Sequence, residues 1–520
     1  MTPRPLPRAV ALAAATVAIC AIGGITAAPA NAAADDGALQ GAELYRNPYS
    51  TTLEAAQSLS GRARADAQLL GSIPSADWIT KGTPAEAQTA VDEIVDAAAA
   101  LGQVPTIVVY NLPFRDCAQY SAGGAADTAE YLAWVDGVAA GIGDRDAIVI
   151  LEPDGLGIIP WNTDGNGNAE WCQPAELDPA TAADDRYVQV NGAVDRLTAL
   201  AGTHVYLDGT HTGWLGVGDI SARLIRAGVE RTDGFFLNAS NYEETRKLEK
   251  YGTWISECIH LSQNSWWEPA WCGSQYYPAN PADFDTWTAT DATYDQAYAD
   301  TGLTRDPAAQ AHFVIDTSRN GQGPWTAPAG VYPDPEVWCN PPDRGIGERP
   351  TTDTGTALID AFLWIKVPGE SDGKCFRGTG GPLDPVRGIE DPAAGVWFPQ
   401  QARELVALAN PPIAAQACTI EYLVHGTWPG GFNTQIWVEN TGTTPINGWA
   451  LEWTFRGDLG IGNGWSADWS QQGQVVTASS LSWNAALAPG ARTTIGFIGK
   501  GADPATVPWL FELNGAPCTS

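Results

Sequence analysis

The sequence predicts an α/β fold, a parallel sheet wound into a barrel by helices, followed by a smaller all-β sandwich. Three observations carry this reading. Short apolar runs alternate with amphipathic helical stretches through the middle of the chain, and most of those runs end in polar or acidic residues. Beyond residue 417 the pattern gives way to short alternating segments separated by Gly, Asn and Pro.

The apolar runs are Ile73–Thr80, Pro105–Asn111, Ala147–Asp154, His204–Asp208, Gly234–Asn238, His312–Asp316 and Ala361–Lys366. They are short, rich in Val, Ile and Phe and bounded by Gly or Pro, as strands buried on both faces should be. Helical stretches between them cover Ala85–Leu101, Thr128–Ile142 and Asp184–Ala201. Seven runs make a barrel short of the usual eight strands. Asn410-Pro411-Pro412 ends a last helix over Phe398–Ala409, and Ile413–Ala417 is a short connector with no long Pro/Thr or Gly/Ser linker. From Cys418, segments such as Asn433–Val438, Trp449–Phe455 and Thr493–Phe497 have the texture of sandwich strands.

Composition narrows the partners. Among 520 residues, 28 Lys and Arg face 60 Asp and Glu, a formal charge of −32. Such a surface repels nucleic acid and anionic lipid and suits a soluble protein, expected to be a monomer, acting on a neutral partner. The 22 Trp have two uses, core packing and stacking on flat apolar ligand faces such as those of sugar rings. The count alone favours packing. Arg4 and Arg8, the apolar stretch Ala9–Ala28 and the small residues Ala30-Asn31-Ala32 predict a signal peptide over residues 1–32 and export from the cell. A retained membrane anchor is the alternative. The Ala-rich stretch, broken by Gly23-Gly24, argues against it, and no later segment approaches the ~20 apolar residues a spanning helix needs.

Removing Cys20 with that leader leaves eight Cys, an even number that in an exported chain points to disulfides. Sequence does not fix their connectivity. Pairing in chain order is expected, Cys117–Cys172, Cys258–Cys272, Cys339–Cys375 and Cys418–Cys518, because it keeps the last two within the C-terminal module. No Cys-x-x-Cys pair occurs and only five His are present, so neither a metal nor another cofactor is expected.

Loops leaving the C-terminal ends of barrel strands build active sites. Here those ends carry Asn111 to Asp116, Glu152-Pro153-Asp154, Asp208 to His211, Asn238 to Asn241, Asp316 to Arg319 and Lys366 to Asp372. Acids do cluster in exposed loops, but carboxylates or carboxamides after six of seven strands converge on one rim. With no phosphate loop and no Ser-His motif, acid–base hydrolysis is the main candidate. A glycosidic bond needs one carboxylic acid to protonate the leaving oxygen, and a second carboxylate to activate water or attack. The acid must stay protonated, through burial or a nearby like charge. Asp154 follows the buried run, and Asp116 lies on the adjoining loop pinned by Cys117.

Several stretches in order, Val109–Cys117, Leu151–Asp154, Tyr206–Trp214, Trp338–Asn340 and Trp364–Gly373, resemble the signatures of glycoside hydrolase family 6. The resemblance spans about Asp77–Pro411 and assigns residues 33–413 to a catalytic domain. It implies a distorted seven-stranded parallel barrel and hydrolysis of β-1,4-glucans with inversion. Asp154 would be the proton donor. Asp116 would raise the donor's pKa and help organise water, and Asp372 would be the base, directly or through a water chain. Asp208 would support the sugar at the cleavage point, and Lys366 and Glu370 would bind its hydroxyls, with Asn241 also on the substrate rim. Trp78, Trp214 and Trp338 would stack on glucose units, Tyr110 would press the distorted ring, and His211 would orient substrate rather than transfer protons. Two positions depart from many relatives, Asn111 in place of Asp and Gly155 in place of Ser or Ala, and neither carries the proton.

Residues 418–520, bracketed by Cys418 and Cys518, hold eight of the 22 Trp and resemble carbohydrate-binding module family 2. That likeness makes Trp428, Trp465 and Trp483 an exposed strip for cellulose and puts Trp449 in the core. The missing linker suggests that the module is held close to the barrel. An insertion over Tyr251–Pro278 is either a lid over the cleft or a stapled surface loop. The wording of Glu152–Gly157 favours endo action on cellulose and soluble β-1,4-glucans. The long stretch Asp372–Trp397 could instead roof the cleft for an exo-acting cellobiohydrolase, and a binding protein without catalysis is the remote alternative.

Overall fold

The computed structural model describes residues 38–164, 167–413, 416–501 and 507–520; the export signal expected over residues 1–32 lies outside the described residues. Seven parallel strands pair in chain order: β1 (Asp77–Ile79), β2 (Thr106–Val109), β3 (Ala147–Leu151), β4 (Thr203–Asp208), β5 (Gly234–Leu237), β6 (His312–Asp316) and β7 (Ile359–Leu363). The sheet curls without closing, because β1 and β7 do not pair. Instead Ala76 N–H donates to Trp364 O at 2.9 Å and Trp78 Nε1 to Ile365 O at 2.8 Å, bridging the gap beside the site.

Strand alternation sorts two cores. Val108, Ile150, Tyr206, Phe236, Val314 and Leu363 fill the interior, while Ile107, Val149, Leu207, Phe235 and Phe313 meet the helices. The helices are α1 (Thr51–Ser58), α2 (Gly61–Gly71), α3 (Pro84–Leu101), α4 (Thr128–Ile142), α5 (Ala182–Leu197), α6 (Val217–Arg226), α7 (Thr245–Asn264), α8 (Thr288–Thr301) and α9 (Pro399–Ala407). Local chemistry sets their ends. Thr83 and Glu86 form a reciprocal capping box at α3, with Pro84 at its first position and left-handed Gly102 after its last.

The apolar runs overshoot several strands. Pairing after β3 stops at Leu151 because Glu152 (φ 56°) and Asp154 (φ 63°) are left-handed, which ends a ladder whatever the hydrophobicity. The insertion expected over Tyr251–Pro278 is half helix: Tyr251 and Trp254 are buried on α7. Of the two alternatives it is the stapled loop, tied by Cys258–Cys272 and absent from the cleft lining. It serves the cleft from behind, with Gln275 Nε2 donating to Thr212 O (3.1 Å) and Leu215 O (2.9 Å) and Tyr276 OH to Trp214 O (3.0 Å).

The C-terminal strands are β8 (Cys418–Trp428), β9 (Gly431–Asn440), β10 (Ile446–Asn447), β11 (Ala450–Thr454), β12 (Gly460–Trp465), β13 (Asp468–Gln472), β14 (Val475–Ser479), β15 (Ala486–Leu487), β16 (Arg492–Lys500), β17 (Glu512–Leu513) and β18 (Ala516–Pro517). One sheet runs β12-β16-β9-β8 and another β13-β14-β11-β17-β18. Their inner faces meet in one core that includes Ile436, Phe497, Leu451, Trp453 and Trp449. All four disulfides form in chain order.

Candidate active site

A cleft of about 960 Å³ crosses the C-terminal ends of the barrel strands. Asp116, Asp154 and Asp372 all line it, as do Trp78, Tyr110, His211, Trp214, Asn241, Trp338, Lys366 and Glu370. Asp208 does not. It is 3% exposed and accepts the N–H groups of Leu156 (3.1 Å), Gly157 (3.0 Å) and Thr210 (2.9 Å). The residue expected to support the sugar thus stands behind the cleft wall, fastening the loop that carries Asp154.

Backbone strain gathers here. Phe114, Asp116 and Cys117 after β2, Glu152 and Asp154 after β3, Thr210 after β4, and Asn238 and Ser240 after β5 all have left-handed φ without being glycine. Each such residue costs of order 1–3 kcal/mol and persists only where its surroundings over-determine it. Several restraints are visible. Cys117–Cys172 anchors the Asp116 turn, and the buried Glu152 carboxylate accepts the N–H groups of Asn111 (3.0 Å) and Leu112 (3.1 Å).

The acids in and behind the cleft differ in what holds their charge. The carboxyl of Asp154 accepts no hydrogen bond among the described residues, and burial, then the charges of Asp208, Asp116 and Asp372, push its pKa well above the usual carboxylate range. Asp372 is the reverse. Burial pushes it up, but Arg319 and then Lys366 outweigh that and hold it below the ordinary value. Its Oδ2 accepts from Arg319 Nη1 (2.9 Å), Asn340 N–H (3.0 Å) and Tyr242 OH (3.1 Å), while Lys366 Nζ lies 3.4 Å from Oδ1. Asp116 is intermediate, raised to about 6 by burial against the Ser121 N–H and the Arg115 charge; Ser121 N–H donates to it at 2.6 Å.

His211 is pushed down to about 4 by burial, so it is neutral near pH 7. Its Nδ1 accepts Gly213 N–H at 3.2 Å, which leaves the proton on Nε2. A neutral ring with a free Nε2 proton fits the expected orienting role better than proton transfer.

Aromatic walls flank the acids. Trp78 packs edge-on to Tyr110 with centroids 5.6 Å apart, the Arg115 guanidinium sits 4.8 Å over the Tyr110 ring, and His211 lies 5.8 Å from Trp214. Sequence reasoning missed Tyr120, 5.9 Å from Trp338, and Trp171, both in the lining. It also missed Arg319, Tyr242 and the Asn340 N–H, which fix the charge on Asp372. Arg319 had a signal, since it ends the strand-end stretch Asp316-Thr317-Ser318-Arg319.

On the sandwich, Trp428, Trp465 and Trp483 are 46%, 40% and 67% exposed, whereas Trp449 is 2% exposed. Trp465 lies flat on its sheet because Gly496 beneath it has no side chain: a Cβ there would sit 2.3 Å from Trp465 Cζ2. A flat, presented ring suits stacking on a sugar. Each of the three replaced by Ala should weaken adsorption to crystalline cellulose roughly fivefold, about 1 kcal/mol, read from binding isotherms. Trp449→Ala should instead unfold the module.

An open parallel barrel whose aromatic cleft holds one carboxyl pushed up by burial and like charges, Asp154, and one held down by cations, Asp372, has the arrangement a glycoside hydrolase needs. The chain belongs to the glycosyl hydrolases family 6, whose model matches residues 39–409, and it carries a cellulose binding domain that matches residues 418–518. It is 32% identical over 526 residues to endoglucanase A of Thermobispora bispora, covering 95% of each chain. It is 31% identical to a probable 1,4-β-D-glucan cellobiohydrolase C of Aspergillus niger, over 73% of this chain and 79% of that one. Among solved structures it matches the endoglucanase Cel6 from Mycobacterium tuberculosis, in complex with a thio-linked cellobioside, at 32% identity and a TM-score of 0.53. That match covers 72% of this chain and 99% of the other.

Proposed function

We propose that the chain is an exported, monomeric, endo-acting β-1,4-glucanase that cleaves cellulose and soluble glucans with inversion, its C-terminal module adsorbing to the solid. The observation that carries the mechanism is the asymmetry between two cleft acids. Among the described residues no hydrogen bond reaches the Asp154 carboxyl and the charges nearest it are negative, whereas three donors and a lysine stabilise an anion on Asp372. Two carboxyl groups whose surroundings push their pKa values apart divide into acid and base roles.

In this reading Asp154 gives its proton to the bridging oxygen as the bond to the anomeric carbon breaks. Water attacks that carbon from the opposite face, and its proton passes to Asp372 through Oδ1, the oxygen not held by Arg319, directly or along a water chain. Asp116 organises the water and keeps Asp154 protonated by its own charge. Trp78, Trp214 and Trp338 hold successive glucose rings, Tyr110 presses the distorted one, and Asn241, Lys366 and Glu370 bind hydroxyls. Four disulfides accord with action outside the cell. Time-resolved ¹H NMR of cellotetraose hydrolysis tests the inversion. The α-anomer should appear first, and initial β-anomer would rule the mechanism out.

The names of the bacterial relatives support internal cutting. The contribution of Ala394, Gly395 and Val396 to the lining favours the second reading, a partly roofed cleft acting from chain ends. Rapid viscosity loss of carboxymethyl cellulose per sugar released is expected for internal cuts, and a flat viscosity would favour the cellobiohydrolase reading.

A pH shift follows from the crowding of acids. The reaction needs Asp154 protonated, so kcat/KM falls as pH rises through its pKa. Asp116→Asn removes a charge that raises that pKa, so the alkaline limb should move to lower pH. An unmoved or upward-moved limb in the pH profile would count against the coupling.

A further inference from the structure

The module is joined to the barrel by a short connector, yet the structure also joins them through a second surface. The strap formed by residues 44–50 is fastened to the barrel on one side. Leu44 bridges to Val104, Tyr45 N–H donates to Val104 O at 2.9 Å, and Asn47 Nδ2 donates to Asp77 Oδ1 at 2.9 Å. On its other side the strap, with α1 and α2 behind it, meets the sandwich.

Those contacts are of several kinds. Arg46 Nη2 pairs with Glu512 Oε2 at 2.8 Å, both side chains largely covered. The Tyr49 ring packs edge-on against Trp509 with centroids 5.4 Å apart, and the Arg456 guanidinium covers both rings, 5.5 and 5.3 Å from their centroids. From α2, Arg64 Nη1 donates to Ser520 O at 3.0 Å and buried Gln68 donates to Ser520 Oγ at 2.7 Å. An ion pair, an aromatic pair capped by a cation and terminal hydrogen bonds all converge on one patch. A module that merely trails from a tether has no reason to bury such groups.

The patch is well placed on the sandwich. Glu512 belongs to β17 of the five-stranded sheet, and Thr454, which closes β11 in the same sheet, accepts a long hydrogen bond from Tyr49 OH at 3.5 Å. Trp428 and Trp465 lie on β8 and β12 of the four-stranded sheet. Ser520 follows Thr519, which bridges to Thr419 at the start of β8, whereas Trp428 closes the opposite end of that strand, so the docking contacts on β8 lie away from Trp428. The strap also leads into the cleft. Ser50 and Thr51 line the cleft, and Thr51 Oγ1 donates to Glu370 Oε1 at 2.5 Å.

We propose that the cellulose-binding module is docked on the 44–68 segment as a fixed spacer, so that adsorption sets the orientation of the cleft relative to the solid. The inference rests on the glucanase reading for its consequence, but the docking is measurable without catalysis. Small-angle scattering of the full chain should fit one compact arrangement. Arg46→Glu combined with Arg456→Ala should enlarge the radius of gyration and speed proteolysis at the 410–417 connector. The charge swap Arg46→Glu with Glu512→Arg should restore most of the compactness.

Activity then separates docking from catalysis. In the disrupted variant, cellotetraose hydrolysis and adsorption to cellulose should stay as in the wild type, while sugar release from solid cellulose falls severalfold. Scattering that already requires a flexible ensemble in the wild type, or solid-substrate activity indifferent to the disruption, would overturn the proposal. Absence of cellotetraose hydrolysis in the wild type would instead sink the glucanase reading and leave the docking result standing. Two separate melting transitions at wild-type temperatures would show that the variant modules are folded.

Discussion

Asp154→Ala is expected to lower kcat on cellulose by on the order of 10³-fold, with KM little changed. The carboxyl contributes a proton in the transition state rather than a contact to the bound ground state. Leaving-group chemistry separates loss of a proton donor from loss of structure. Fluoride leaves the anomeric carbon of cellobiosyl fluoride without needing a proton, so the variant should retain far more of its activity on the fluoride than on cellulose. Equal losses on both would mean that Asp154 holds the site together rather than acting as its acid. Its lack of hydrogen bonds among the described residues makes the first outcome the expected one, since there is little structure for the carboxyl to support.

The second large effect belongs to Arg319, 0% exposed and bonded to both Asp372 and the carbonyl of Ser240. Arg319→Ala leaves a carboxylate buried with its main partner gone, and removing one member of a buried ion pair costs about 3–5 kcal/mol. Denaturant titration should read that loss. The pH dependence gives the sign. In the wild type the folded pKa of Asp372 is depressed, so its stabilising contribution is present above the unfolded pKa and is lost as pH falls through the folded one. In Arg319→Ala that contribution disappears and burial raises the pKa. Activity should then fail on the acid side at a higher pH than in the wild type. Lysine at this position should recover only part of the effect, because it lacks the planar fork that reaches both Asp372 and Ser240.

Strand-end acids were the most useful signal in the sequence, and they also show where it stopped. The convergence on one rim was legible because parallel strands all deliver their C-terminal ends to the same side. What each acid does there was not legible. Glu152, Asp208 and Asp316 look like their neighbours in sequence, yet they fasten loops. Asp316 alone accepts the N–H groups of Ser240 (3.0 Å), Ser318 (2.9 Å), Ile365 (3.3 Å) and Lys366 (3.0 Å). Left-handed turns of one or two residues decide which carboxyl faces the cleft and which turns back into the wall, and those turns leave no periodicity to read. Arg319 and Tyr242 were hidden for a related reason: they reach Asp372 across 53 and 130 residues of chain. The strip of Trp428, Trp465 and Trp483 could be separated from core Trp449 by likeness alone. The structural cause, glycine beneath the Trp465 ring, becomes visible only once β12 and β16 are in register. The docking patch had one cue, the short connector.

The account turns on a carboxyl group that remains neutral when its neighbours are charged. Labelling the aspartates with ¹³C at the side-chain carboxyl and following the resonances against pH measures this directly. One resonance should titrate well above the ordinary carboxylate range and be missing from the spectrum of Asp154→Asn. If every cleft aspartate is already ionised near pH 5, or if the late-titrating resonance survives in Asp154→Asn, the assignment of the acid is wrong.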